Sequence, residues 1–440
     1  MVTGCQNEPL DTDITASPSE PSIELPKVSI NTNGQDIVDE PKIKAEMTIS
    51  INKEIEFLGS IGIEIRGSSS QSFPKKQFGL ETRDASGEGI DVSILDFPDE
   101  EDWILYAPYS DKALFRNILI YDLSRDIGRY ASRAKFVEVN INDNYNGLYV
   151  FMEKLKRDVN RIDINKLKED ENSGEDLTGG YILKIDKADG LNETLYTNQN
   201  AITSNFAPNN AINDQKIYFN YDYPKPEKIT LEQRDYITQY MHDFETALNS
   251  DQFTDSENGY AKYIDVTSFI EFFILNELAN NVDGYRLSTW LTKEKNEKLK
   301  MGPIWDFNLA FGNANYCGGG NSNVWAYKFN ERCPNDFWLI PFWWDKLLDD
   351  PNFVIELQNK WFELRANQLS NNAIQEKIDT YTVLLELSNA RYKNFSKWPI
   401  LSTYIWPNNF IGDTYSEELN YIQNFIEERL SWLDNNIMNL

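Results

Sequence analysis

The sequence predicts an α+β protein with a sheet-rich first part and a mostly helical remainder, and three observations carry that reading. Val28-Ser29-Ile30, Met47-Thr48-Ile49-Ser50-Ile51 and Ile61-Gly62-Ile63-Glu64-Ile65 alternate apolar and polar residues, the pattern of strands that bury one face. Further along, from about residue 230, apolar residues recur at helical spacing instead. The length of 440 residues exceeds the roughly 250–300 at which one core stops growing, so one large or two closely joined folded parts are expected.

The elements follow in order. Residues Cys5 to about Leu25 are rich in Ser, Pro, Thr, Asp and Glu without apolar periodicity, which is linker composition. Ahead of them, Val2-Thr3-Gly4-Cys5 resembles the end of the lipobox of bacterial lipoproteins, so residues 1–25 read as a lipoprotein N-terminus and linker. That places the protein outside the cytoplasm, attached to the cell envelope or surface by a lipid on Cys5. A further strand is expected from Lys76 to Thr82, with Lys76, Phe78 and Leu80 on one face. A helix capped by Ser110 or Asp111 follows, with Leu114, Ile118 and Tyr121 on its apolar stripe, ending before Gly128. Two strands, Lys135 to Ile141 and Gly147 to Met152, are expected on either side of the turn sequence Asn142-Asp143-Asn144-Tyr145-Asn146. The sheet-rich part is therefore bounded at 26–155 and the helical part at 156–440. The latter should hold a strand at Tyr181 to Asp186 and helices at Thr230 to Asn249 and Val266 to Asn280. A hairpin of Arg286 to Lys293 and Lys298 to Pro303 is expected next. From Phe337 on, further helices bury Trp343, Trp344, Trp361 and Trp432. No internal repeat is present.

Composition excludes several functions. The formal charge of −28 repels a phosphate backbone, so nucleic acid is not an expected partner. Nucleotide phosphates would need a local basic cluster or a divalent cation. No run approaches the ~18 apolar residues that span a bilayer. Cys317 and Cys333 lie in Gly/Asn/Pro-rich sequence and are either a local disulfide or two free thiols. The one histidine, His242, falls in a helical stretch and reads as a helix-surface residue, which argues against zinc and against Ser-His-Asp or Cys-His catalysis. A general base is then expected to be a carboxylate.

Two aspartates stand out. Asp283, in Asn280-Asn281-Val282-Asp283-Gly284-Tyr285-Arg286-Leu287-Ser288, precedes the hairpin, and Asp306, in Trp305-Asp306-Phe307-Asn308, follows it. A carboxylate on each side of a hairpin can divide two roles, one accepting a proton from an attacking hydroxyl and one binding a metal. Each alone would more often cap a turn or a helix. Ser288 offers a neutral oxygen to the same metal. In protein kinases that interval carries an asparagine and the second aspartate heads Asp-Phe-Gly, so Ser288 is a departure. Earlier in the chain, Arg66-Gly67-Ser68-Ser69-Ser70-Gln71-Ser72-Phe73-Pro74-Lys75-Lys76 is a polar loop with a basic end, able to offer N–H groups and hydroxyls to phosphates. A solvated Lys75-Lys76 pair is the plainer reading of that end.

Four stretches together resemble the motifs of the spore coat protein H (CotH) kinase family. They are Arg66 to Leu80; Glu101-Asp102-Trp103 with Tyr106 to Lys112 and Arg116-Asn117; Glu153 to Asp163; and Asn276 to Asn313. The resemblance implies an atypical, secreted, protein-kinase-like two-lobed fold with additional C-terminal helices. ATP and Mg²⁺ or Mn²⁺ would lie between its lobes, and protein hydroxyls, with the chain itself as one candidate substrate, would be phosphorylated. It makes Asp283 the catalytic aspartate and Asp306 the metal-binding one, to which the reading of the residues themselves adds Ser288 as a metal ligand. Arg66, Gly67, Ser68, Ser69 and Lys76 become phosphate-binding, and Glu153 lies at the hinge to the adenine. The helix after Asp111 offers no central glutamate to pair with Lys76. Two other readings compete: a surface or coat scaffold of the same fold without catalysis, and, ranked below it, a carbohydrate-active protein.

Overall fold

The computed structural model of the protein describes residues 23–188 and 193–440. The expected lipobox and Cys5 lie outside the described residues. In chain order the first elements are β1 (Lys27–Asn31), β2 (Ile43–Ile51), β3 (Glu54–Arg66), β4 (Gln77–Arg83), β5 (Asp102–Tyr106), α1 (Arg116–Asp126), β6 (Ala134–Ile141) and β7 (Asn144–Glu153). There follow β8 (Tyr181–Ile185), β9 (Ala201–Thr203), β10 (Tyr218–Tyr223), α2 (Leu231–Asn249), α3 (Val266–Ala279), β11 (Thr289–Lys293) and β12 (Leu299–Met301). The chain closes with α4 (Phe329–Arg332), α5 (Trp343–Leu348), α6 (Pro351–Arg365), α7 (Asn371–Leu387), α8 (Ala390–Lys397) and α9 (Tyr415–Asn436). This mixture of helices and sheets agrees with the α+β expectation.

Two compact units share the chain, and they interleave. The first takes the chain up to Leu114, Lys135–Phe151 and Asp379–Asn424; the second takes Phe115–Ala134, Met152–Ile378 and Phe425–Leu440. These units cut the chain differently from the 26–155 and 156–440 expectation, because the C-terminal segment Asp379–Asn424 belongs with the strands.

The first unit is built on a closed barrel in the order β1-β2-β3-β4-β5-β7-β6. Period-two alternation sends Val28, Ile30, Met47, Ile61, Ile63, Phe78, Leu80, Val137, Val139, Tyr149 and Phe151 into one core with Trp103. Each such side chain, fully buried, contributes about 1.5–3 kcal/mol. β1 closes the barrel by pairing antiparallel with β2 and parallel with β6. Asn142 and Asp143, with φ of 47° and 63°, make the left-handed two-residue turn that matches strand twist between β6 and β7. A closed seven-stranded barrel is not by itself diagnostic of a two-lobed kinase-like arrangement.

The second unit holds a five-stranded sheet, β12-β11-β8-β10-β9, whose β9 and β10 carry no period-two pattern strong enough to predict them. Trp343, Trp344 and Trp361 are buried as expected, whereas Trp432 is half-buried. His242 is half-buried, its Nε2 lying 3.1 Å from the Thr203 carbonyl, so it packs on β9 and is not a free surface residue. The helix expected from Ser110 or Asp111 begins only at Arg116. Leu114, at φ 75°, breaks the helical path, and no side chain caps α1. Likewise β11 begins at Thr289, because Tyr285 and Ser288 adopt φ of 69° and 47°.

Candidate functional site

Asp283 is reached from α3. That helix starts on an Asp265 cap accepting from Ser268 N–H and ends at Asn280 in the left-handed region. Gly284 lets the loop close: a Cβ there would fall 2.3 Å from Asn276 Oδ1. Tyr285, forced to positive φ, is buried and donates its hydroxyl to Glu277 Oε1 at 3.0 Å. Glu277 also accepts from the N–H groups of Ala326 and Tyr327 and pairs at 3.0 Å with Arg429 from α9. Burial pushes the Glu277 carboxyl up and the Arg429 guanidinium down, to about 10, and the donors around Glu277 hold the pair charged. The floor under Asp283 is therefore a buried polar network.

On that floor Asp283 is anchored through one oxygen. Its Oδ1 accepts from Arg286 Nη2 at 2.6 Å and from the Tyr316 hydroxyl at 3.1 Å. Burial, reinforced by the Asp283 charge, raises the Tyr316 hydroxyl far above the ordinary phenol range, so it stays a donor. Among the described residues no hydrogen bond is made to Oδ2, and the side chain is 24 % exposed. Ser288, half-buried five residues on, likewise makes no hydrogen bond through its hydroxyl among the described residues.

Asp306 is held differently. Gly302 N–H pairs with Trp290 O at 2.8 Å where the hairpin ends, and the chain then enters Asp306 at φ 60°. Its N–H donates to the Tyr121 hydroxyl at 3.1 Å, and the next N–H, of Phe307, to Asn117 Oδ1 at 2.7 Å. Arg116 reaches the carbonyls of Ala310 and Phe311 from Nε and Nη2. The first turns of α1 thus clamp the main chain of the 306–311 loop, while the Asp306 side chain is exposed. Tyr285, Ser288, Asp306 and Phe311 all have positive φ. Such strained residues cluster where geometry is prescribed by function.

In the first unit, Arg66 ends β3, and Gly67 turns the chain at φ 101°, where a Cβ would meet Ser70 Oγ at 2.1 Å. Ser69–Ser72 form one short 3₁₀ turn behind Ser68, and Gln71 Nε2 donates to Gly67 O at 2.7 Å. Lys76 lies just before β4, not within it, with Nζ 2.5 Å from Gln71 O. The Lys75-Lys76 pair is not a solvated one. Lys75 is 1 % exposed, and its Nζ donates to Leu148 O and to Asn394 Oδ1 of α8. Burial lowers its pKa well below the lysine range.

A family model of the CotH kinase protein matches residues 63–433, most of the chain. The chain belongs to the CotH kinase protein family. No curated protein sequence matches it. Membership points to a kinase-like function, and with it to ATP and a divalent metal.

The CotH match takes in every candidate residue, from Arg66 to Asp306. Within it Glu153 is fully buried and already engaged. Its carboxylate accepts from Tyr130 OH, Arg133 N–H and Arg133 Nη1, its carbonyl accepts from Ser132 Oγ, and its N–H donates to Arg133 O. Beside it a cleft of about 550 Å³, lined by Tyr130, Arg161, Phe272, Pro303 and Ile304 among others, opens in the second unit without Asp283 or Asp306 in its wall. Among the described residues one set of three acids, Glu100, Glu101 and Asp102, has ligand oxygens within 4.8 Å of one another. Asp102 N–H already donates to Glu100 there. The bonding roles of Arg286, Tyr316, Tyr121 and Lys75 were not foreseen. Arg286 could have been, since it follows Asp283 by three residues; Tyr316 carries no signal beyond its place beside Cys317. That cysteine is joined to Cys333, with Cα atoms 5.8 Å apart, so of the two alternatives the disulfide is the one present.

Proposed function

We propose that the protein is an ATP-dependent phosphotransferase acting on protein hydroxyls, its own chain included, in a two-lobed kinase-like arrangement. One observation carries this: Asp283 is anchored through Oδ1 alone, leaving Oδ2 to take a hydrogen bond from an acceptor hydroxyl. A base so oriented contributes roughly 10²–10⁴ in rate. The exposed carboxylate of Asp306 and the uncommitted hydroxyl of Ser288 are hard oxygen donors, the set that suits Mg²⁺ or Mn²⁺. A bound metal would neutralise nucleotide phosphates in a chain of charge −28. Arg66, Gly67, Ser68, Ser69 and Lys76 are the groups for the phosphates; Lys76 would exchange its bond to Gln71 O for one to an anion. Glu153, at the end of β7, holds the segment that leads into β6 through Tyr130 and Arg133. The Cys317–Cys333 bridge supports work in an oxidising compartment, in keeping with an exported, lipid-anchored protein.

Purified protein with labelled ATP and Mn²⁺ is expected to label itself or an added protein, and Asp283→Ala and Asp306→Ala each to abolish the label. Equal labelling by all three would sink the proposal. A scaffold without catalysis is the second reading, favoured by one observation: both lysines of the loop are bonded internally. Nucleotide with Mn²⁺ should raise the Tm of an enzyme and leave that of such a scaffold unchanged.

A further inference from the structure

Both residues that donate to Asp283 Oδ1 are tied to the same covalent bridge. Tyr316 immediately precedes Cys317. Arg286 donates from Nη1 to Asp336 Oδ1 at 3.3 Å and to Trp338 O at 3.2 Å, and Asp336 N–H in turn donates to Cys333 O at 3.1 Å. The two cysteine segments also meet where Arg332 Nε donates to Cys317 O at 2.8 Å. Beyond Cys317, itself at φ 49°, come three consecutive glycines, so the chain has little stiffness of its own there. The bridge is the covalent tie between the segment that carries Tyr316 and the segment that holds Arg286.

We propose that Tyr316 is a positioning residue for Asp283 and that the Cys317–Cys333 disulfide, by tying the Tyr316 and Asp336 segments together, makes the orientation of that carboxylate sensitive to redox state. The proposal rests on the reading of Asp283 as the group that meets the acceptor hydroxyl. Both cysteines are half-buried, within reach of a small dithiol. Reduction delivers two electrons and two protons to the bridge, gives two thiols and leaves the dithiol as a cyclic disulfide. The Tyr316 and Asp336 segments can then separate, and Asp283 loses one of its two donors or has both displaced.

The test pairs kinetics with a direct view of the carboxylate in the full chain. Wild type, wild type treated with dithiothreitol, Tyr316→Phe and the double variant Cys317→Ser/Cys333→Ser are compared for phosphate transfer. The side-chain carboxyl of Asp283 is followed by its ¹³C chemical shift at a single pH, assigned with Asp283→Asn. Loss of position is expected to lower kcat roughly ten- to a hundredfold with KM for ATP unchanged. The Asp283 carboxyl shift should move in Tyr316→Phe, because one of its two donors is gone. Dithiothreitol should reproduce the double variant and add little to Tyr316→Phe. That variant keeps ring and bridge, so poor folding of the cysteine pair variant does not decide the matter. Transfer and carboxyl ¹³C shift both unchanged in Tyr316→Phe and on reduction overturn the inference while leaving the phosphotransfer reading in place. A carboxyl shift that moves in Tyr316→Phe and on reduction, with a wild type that transfers no phosphate, supports the positioning role and defeats the phosphotransfer reading instead.

Discussion

The loop that carries Asp283 is fixed through side chains, whereas the loop that carries Asp306 is fixed through its main chain. Beneath Asp283 lie Glu277 and Arg429, and onto its carboxylate come Arg286 and Tyr316. Around Asp306 the bonds from Tyr121, Asn117 and Arg116 end on backbone N–H and C=O groups, and its carboxylate stays exposed. A group that must present one oxygen in a set direction needs its side chain held. A metal ligand needs its chain held and its carboxylate open to solvent. The difference between the two loops is thus the difference between the two proposed roles.

The largest effect that would probe this contrast lies under Asp283. Arg429→Ala leaves Glu277 buried and unpaired, and should cost about 3–5 kcal/mol in denaturant unfolding; a loss under about 1 kcal/mol would mean that the floor does not depend on the ion pair. Glu245 on α2 asks whether a cation is what keeps a buried carboxyl charged. Among the described residues its side-chain donors are the Ser204 hydroxyl and the Trp343 indole N–H alone, and burial raises it to about 7. With the folded value above the ordinary 4.5, stability should fall as pH rises from about 4.5 and level off past 7, by on the order of 3 kcal/mol. Glu245→Gln should flatten that fall, and an unchanged pH–stability curve would contradict it.

Effects on the Asp306 side are smaller and more local. Arg116→Ala should cost about 2–3 kcal/mol and speed hydrogen exchange over 306–311 while sparing 283–288; uniform acceleration of both loops would erase the contrast. Asn117→Ala orphans the buried Phe307 N–H, for about 1–3 kcal/mol, and should raise the Mn²⁺ concentration needed for transfer rather than lower the rate at saturation. Tyr121→Phe, which removes the acceptor for Asp306 N–H, should show the same trend at about 1 kcal/mol.

Much of this was legible in the sequence, and the rest was hidden for physical reasons. Alternation located β1 through β3, because one buried face imposes period two. The hairpin between the two aspartates was readable from its turn at Glu294 to Glu297. The start of α1 was not, since Leu114 takes a conformation that nothing in its side chain announces. Lys75 and Lys76 look alike in sequence; only the fold brings Leu148 and Asn394 to Lys75, the latter from a helix more than three hundred residues away. The association of Asp379–Asn424 with the barrel was invisible for the same reason. Of the two donors that anchor Asp283, Tyr316 lies 33 residues on and was hidden in the same way, while Arg286 lies three residues on.

The barrel's seam has a consequence for handling and survival of the protein. Closure passes through one five-residue strand, β1, bonded on both sides. A proteolytic nick after Asn31 that let this strand leave would bare the hydrogen-bonding edges of β2 and β6 at once. Exposed edges are templates for strands of other copies, so such clipping should show first as aggregation, ahead of any change at the two aspartates.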